Sequence, residues 1–93
     1  MINTNEYFDG KVKSLSLENK TGKHTVGVMV AGEYEFTTGS PETMNIVCGS
    51  WEYQLPGSSE WFSQNAGSSF EVDANVTFKV KTSEPCAYLC RYE

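Results

Sequence analysis

The sequence predicts an all-β domain, a small barrel or sandwich of nine or ten short strands. Three observations carry this expectation. Apolar and polar residues alternate with a period of two along most of the chain, as in strands with one buried face. Turn residues interrupt that alternation at short intervals, many of them among the eight Gly and three Pro. Five Tyr, five Phe and two Trp suit a pleated, half-buried surface better than a helix. Ninety-three residues suffice for one domain, 1–93, and are too few for two. So small a core is modest, and a second subunit would help to cover it.

The elements follow in order. Residues 5–8 read as a lead-in that stops at the Asp9-Gly10 turn. Residues 11–17 alternate, with Val12 on the face opposite Lys11 and Lys13. Residues 18–24 are polar and read as an exposed hairpin loop around Gly22, which leaves His24 solvated. Residues 25–30 form a strand, turned by Ala31-Gly32 into residues 34–38, where large and polar side chains alternate again. Gly39-Ser40-Pro41 breaks that strand, and the more apolar 44–48 follows up to Gly49. Residues 51–55 alternate before the Pro56-Gly57 turn. Residues 60–62 suggest a short edge strand, closed by the turn at 65–67. Strands at 69–72 and 76–80 are joined tightly by Asp73-Ala74-Asn75. A turn at 82–85 leads to the last strand, 86–92. Repeats, low-complexity tracts and linkers are absent from the sequence.

Composition narrows the partners. A net charge of −5 argues against a nucleic-acid groove, which needs clustered Lys and Arg. A small anion remains possible, since one or two cations hold it. The amino terminus has neither a basic region nor an apolar core, so no secretory signal is expected, and no apolar run approaches the ~18 residues of a membrane span. Cys86 and Cys90 fall in one strand, with Cα atoms about 13 Å apart at ~3.3 Å per residue, beyond the ~7 Å reach of a disulfide. The three Cys are therefore read as reduced, buried and structural, and the protein as cytoplasmic. One His makes no metal site, and Lys11, Lys13, Lys79 and Lys81 are expected to face solvent.

Glu42 and Gly49 are separated by six residues, a spacing that resembles the end of the first cupin motif. The metal-binding His-x-His of that motif would fall on Phe36 and Thr38. Gly67, Asp73, Asn75 and Phe78 fit the frame of the second motif, with Phe78 in the place of its His. A closer likeness spans almost the whole chain. Asn5-Glu-Tyr-Phe8, Gly10-Lys-Val-Lys-Ser14, Val26-Gly-Val-Met29, Gly32-Glu-Tyr34, Pro41-Glu42 and above all Tyr88-Leu-Cys-Arg-Tyr92 resemble the small, single-domain pyrimidine/purine nucleoside phosphorylases. The resemblance implies a cupin-like barrel of jelly-roll type and a homodimer. It also implies phosphorolysis of many nucleosides to free base and pentose 1-phosphate, with phosphate as co-substrate. Asp73-Ala74-Asn75 departs from the Pro-Gly expected there. The replaced His positions imply metal independence, with no cofactor.

Phosphorolysis passes through an oxocarbenium-like sugar. It needs a cation for phosphate, a carboxylate near the ribose and an apolar platform for the base. Arg91 is the expected phosphate ligand, for its bidentate fork, against the plainer reading of a surface ion-pair residue. Glu42 is expected to accept ribose hydroxyls and favour positive charge at the sugar, against a polar cap at the barrel mouth. Tyr34, Phe36 and Thr38 share a face; the two rings and Phe78 would wall the base site and Thr38 would donate to phosphate or ribose, unless all of them are plain core. A non-catalytic cupin-like module for a small metabolite is the alternative function. A metal-dependent cupin oxygenase or isomerase is a weaker third.

Overall fold

Alternation decides which side chains turn inward, and the computed structural model, which describes residues 2–93, shows the outcome. Ten strands follow one another: β1 (Asn3–Tyr7), β2 (Val12–Asn19), β3 (Gly22–Met29), β4 (Gly32–Thr37), β5 (Glu42–Cys48), β6 (Ser50–Gln54), β7 (Phe62–Asn65), β8 (Ser69–Val72), β9 (Thr77–Thr82) and β10 (Cys86–Tyr92). They pair antiparallel in two sheets, β1-β2-β3-β10-β5-β8 and β4-β9-β6-β7. The expected all-β class and jelly-roll barrel are observed.

The inward faces meet through aromatic rings. Trp51 of β6 packs on Phe70 of β8 and Tyr88 of β10, with ring centroids 6.2 and 5.9 Å apart. Tyr53 of β6 stacks on Phe70 at 3.8 Å, and Phe70 meets Phe78 of β9 edge-on at 5.9 Å. Val12, Met29 and Val80 fill the rest and are fully buried. Tyr88 lies opposite Gly27 of β3, whose missing side chain makes room for the ring.

Three expectations change. The edge strand expected at 60–62 lies instead at Phe62–Asn65. Residues 18–24 are not a loop: β2 and β3 run on to Asn19 and Gly22, joined by Lys20 and Thr21 alone. Polar residues extend a strand wherever the pairing continues and both faces meet solvent. Residues 3–7 are a strand rather than a lead-in. β1 is an edge strand, tied to β2 by the Asn5 amide, which donates to Ser14 Oγ (3.2 Å) and Ser16 Oγ (2.9 Å). Between β1 and β2, Phe8, Asp9 and Gly10 take φ values of 53°, 56° and 85°, three left-handed residues in succession.

The Asp73-Ala74-Asn75 turn, where the sequence departs from the motif, uses a left-handed residue. Asn75 stands in a glycine place with φ 59°, and Asn is among the few non-glycine residues that visit this region readily. The outer face of the six-stranded sheet carries exposed Leu15, Val26, Val28 and Val47.

Candidate active site

β5 alternates Glu42, Met44 and Ile46 inward, and β10 alternates Tyr88, Cys90 and Tyr92 inward beside it, since Tyr92 pairs with Glu42 and Cys90 with Met44. Phe36 of β4 pairs with Phe78 of β9 on the facing sheet, their rings 5.7 Å apart. All of these side chains except Ile46, with Tyr7 and Phe8, line a cavity of about 190 Å³. Three of the six expected site residues, Glu42, Phe36 and Phe78, are thus brought together. A larger depression, about 370 Å³, lies along β6 and β7. Its lining is mainly small and polar, and its cation, Lys81, is turned onto Trp61, 4.0 Å from the ring centroid.

Glu42 is the ionisable centre of the cavity. Burial holds its carboxyl above the ordinary value of 4.5, while the Cys90 thiol and the charge of Lys23 pull the other way. Cys90 Sγ donates to Glu42 Oε1 at 3.3 Å. Burial and the neighbouring carboxylate push that thiol up to about 12, so it stays protonated at neutral pH and serves Glu42 as a donor, not as a nucleophile. Burial also raises the phenols of Tyr88, to about 12, and of Tyr92. The Tyr92 hydroxyl lies 3.3 Å from that of Thr25.

Tyr34, Thr38 and Arg91 stand elsewhere. Tyr34 is buried beneath the Phe8 ring and donates its hydroxyl to the Val30 carbonyl at 2.6 Å. Thr38 falls just past the end of β4 and clamps the 73–75 turn: its hydroxyl donates to the Asp73 carbonyl (2.6 Å) and accepts from Val76 N–H (3.2 Å). That hydroxyl has no proton left for a ligand. Arg91 is the largest correction. With Tyr88, Cys90 and Tyr92 inward, period two turns Arg91 to the outer face, where it is exposed in register with His24 and Thr43. His24 is accordingly on a strand, half-buried, with Nε2 3.1 Å from Thr21 Oγ1. All three Cys are free, but Cys48 is exposed rather than buried.

The cation near the cavity is Lys23. It pairs with Tyr92 in register and sets Nζ 5.0 Å from the Tyr92 ring centroid. Lys23 also lines a depression of about 440 Å³ along the β2–β3 hairpin. The signal that finds it is the phase of β3: Thr25, Gly27 and Met29 are inward, so Lys23 shares their face, although its side chain is exposed at the end of the strand. Among the described residues no three of His, Cys, Asp and Glu are grouped as a metal cluster. No helix of the described chain is long and apolar enough to cross a membrane.

Comparison with known proteins adds four findings. The model of the family described as "Pyrimidine/purine nucleoside phosphorylase" matches residues 2–92. A protein of that name from Pseudoalteromonas atlantica is 52% identical over 92 residues, covering 99% of both chains. A solved structure of a protein of unknown function from Vibrio parahaemolyticus superposes with a TM-score of 0.93 at 40% identity, covering 100% of this chain and 99% of that one. EutQ from Clostridium difficile, at 12% identity and a TM-score of 0.71 over 87% of this chain and 67% of its own, shares the cupin-like fold alone.

Proposed function

Because this chain belongs to the pyrimidine/purine nucleoside phosphorylase family, we propose that its cavity cleaves the N-glycosidic bond of purine and pyrimidine nucleosides with phosphate. The products are free base and pentose 1-phosphate. The observation that carries this reading is the pairing of a half-buried carboxylate, Glu42, with an aromatic wall, in a cavity that has Lys23 close by. Phosphate attacks the anomeric carbon from the face opposite the base. Glu42 accepts the ribose hydroxyls and stabilises the positive charge that develops on the sugar. Phe36, backed by the buried Phe78, gives the base an apolar surface without a hydrogen-bond code, which suits broad base tolerance. The catalyst needs no metal, because Phe36, Thr38 and Phe78 stand where a cupin would carry its His ligands. The three free thiols fit a reducing compartment, the cytoplasm.

The test is incubation with inosine or uridine, with and without phosphate, and again with a chelator. Base release that requires phosphate and survives chelation is expected. No release in any condition favours a non-catalytic binding module, and release restored only by added metal overturns metal independence.

Lys23 takes the phosphate role that the sequence assigned to Arg91. Lys23→Ala is expected to raise the KM for phosphate about 10-fold, with the nucleoside KM little changed. Arg91→Ala is expected to leave the phosphate KM as in the wild type. The reverse pattern in steady-state kinetics would return the role to Arg91.

The molecule acts as a homodimer. Val26 pairs with Leu15 on one side and Leu89 on the other, and Val28 with Ala87, so the outer face of the six-stranded sheet holds a contiguous apolar strip. Such a face suits a self-complementary contact. Light scattering at micromolar concentration should give a dimeric mass for the wild type and a monomeric one for Val28→Glu. A monomeric wild type removes the assembly, and a dimeric variant moves it to another face.

A further inference from the structure

The rings of the cavity form a graded series. Phe78 is 1% exposed and lies at the floor; Phe36 packs on it at 5.7 Å. Phe8 comes next, 5.9 Å from Phe36 and edge-on to it at 89°, with Tyr34 against it at 5.1 Å. Phe8 nevertheless keeps 42% of its surface in solvent. An aromatic ring that lines a cavity and is held by two others, yet remains this exposed, has a face to offer a ligand.

The backbone beneath Phe8 shows that this position is imposed. Phe8 and Asp9 are both non-glycine residues at positive φ, followed by Gly10. A left-handed conformation costs a non-glycine residue free energy through the clash of Cβ with the backbone. The Lys11 N–H donates to the Phe8 carbonyl at 3.1 Å and closes the turn. Glycine at position 8 would remove the strain and the ring together. Strained backbone of this kind persists where the surrounding structure over-determines it, and it gathers at ligand sites.

We propose that the left-handed turn at Phe8–Gly10 presents the Phe8 ring as the mouth platform on which the base of the nucleoside stacks. The identification of the ligand ring as a nucleobase rests on the phosphorolysis reading; the presentation of Phe8 does not. Stacking accepts purines and pyrimidines alike, because every base has a π-face. Phe8 acts on binding of the base and touches neither phosphate nor the anomeric carbon.

The experiment is equilibrium dialysis of free hypoxanthine and free uracil against the wild type, Phe8→Gly and Phe8→Tyr, with a thermal melt of each protein. Steady-state kinetics on inosine run in parallel. Phe8→Gly is expected to bind both bases about 10-fold more weakly and to raise the inosine KM by a similar factor, with the phosphate KM unchanged. Its Tm is expected to stay near that of the wild type, because relief of the left-handed strain offsets the lost packing. Phe8→Tyr is expected to bind as the wild type does. Equal base binding by wild type and Phe8→Gly overturns the proposal, as does a wild type that binds neither base. A loss of binding that comes with a large fall in Tm, or that Phe8→Tyr shares, also overturns it. If the wild type binds bases through Phe8 but releases none from inosine, the phosphorolysis reading fails and the Phe8 platform stands.

Discussion

Glu42→Gln is expected to lower kcat for phosphorolysis by about 10²-fold, the scale of losing one preorganised charge-stabilising group. Glutamine keeps the shape of the side chain and still accepts the hydrogen bond that Cys90 gives at 3.3 Å, so the cavity is preserved and the charge alone is lost. The wild-type pH profile should carry the same signature. Burial raises the Glu42 carboxyl above 4.5, so activity that needs the carboxylate declines on acidification at a pH higher than that value. This acid limb should be absent from the variant. Stability moves the opposite way. A carboxyl raised on folding contributes stability that is full below 4.5 and is lost as pH rises through the raised value. Thermal melts should therefore show Glu42→Gln gaining on the wild type as pH increases from 4.5. A kcat within about 3-fold of the wild type would remove the carboxylate from the chemistry.

Gly27→Ala should be the most damaging single methyl group in the chain. An added Cβ would lie 2.6 Å from both Cε1 and the hydroxyl of Tyr88. That ring is 5% exposed and packs on Trp51, so it has nowhere to retreat except into the cavity. Overpacking of this sort costs ~1–3 kcal/mol, and the upper end corresponds to a fall in Tm of about 12–24 °C for a domain of this size. Phosphorolysis should fall with it, because Tyr88 lines the cavity. Gly27→Ala combined with Tyr88→Ala should lose less than the sum of the two single losses, since the clash then has no partner. A Tm for Gly27→Ala within about 2 °C of the wild type would show that the ring moves freely.

Most strands were legible because one face is buried and the period is two. Glu42, Phe36 and Phe78 came instead from the likeness of their spacing to the cupin motifs, not from the period. The period failed where burial fails. β1 exposes most of its residues, so Asn3, Thr4 and Asn5 give no alternation of hydrophobicity to read. The distal ends of β2 and β3 are polar on both faces for the same reason, and Lys23 was lost in an apparent loop. Arg91 is different. The alternation of Tyr88, Cys90 and Tyr92 already turns it outward, and the appeal of a guanidinium for phosphate outweighed the geometry. Thr38 was assigned by continuing a strand that ends at Thr37. The Asp9-Gly10 turn was legible, but not the left-handed backbone of Phe8 before it, since nothing in a Phe announces one.

The order of strands also has a bearing on biosynthesis. β10 lies between β3 and β5 and is made after both, so until it emerges the six-stranded sheet exists as two halves with no hydrogen bond between them. β9 stands in the same relation to β4 and β6 in the other sheet. A nascent chain that has reached Val72 thus has neither sheet joined, and its unpaired edges at β3 and β5 remain open to other chains. The two late strands are keystones, and β10 brings Tyr88, Cys90 and Tyr92 with it. Fold and candidate cavity are completed in the same event, so a ribosome-bound chain halted short of Cys86 has neither.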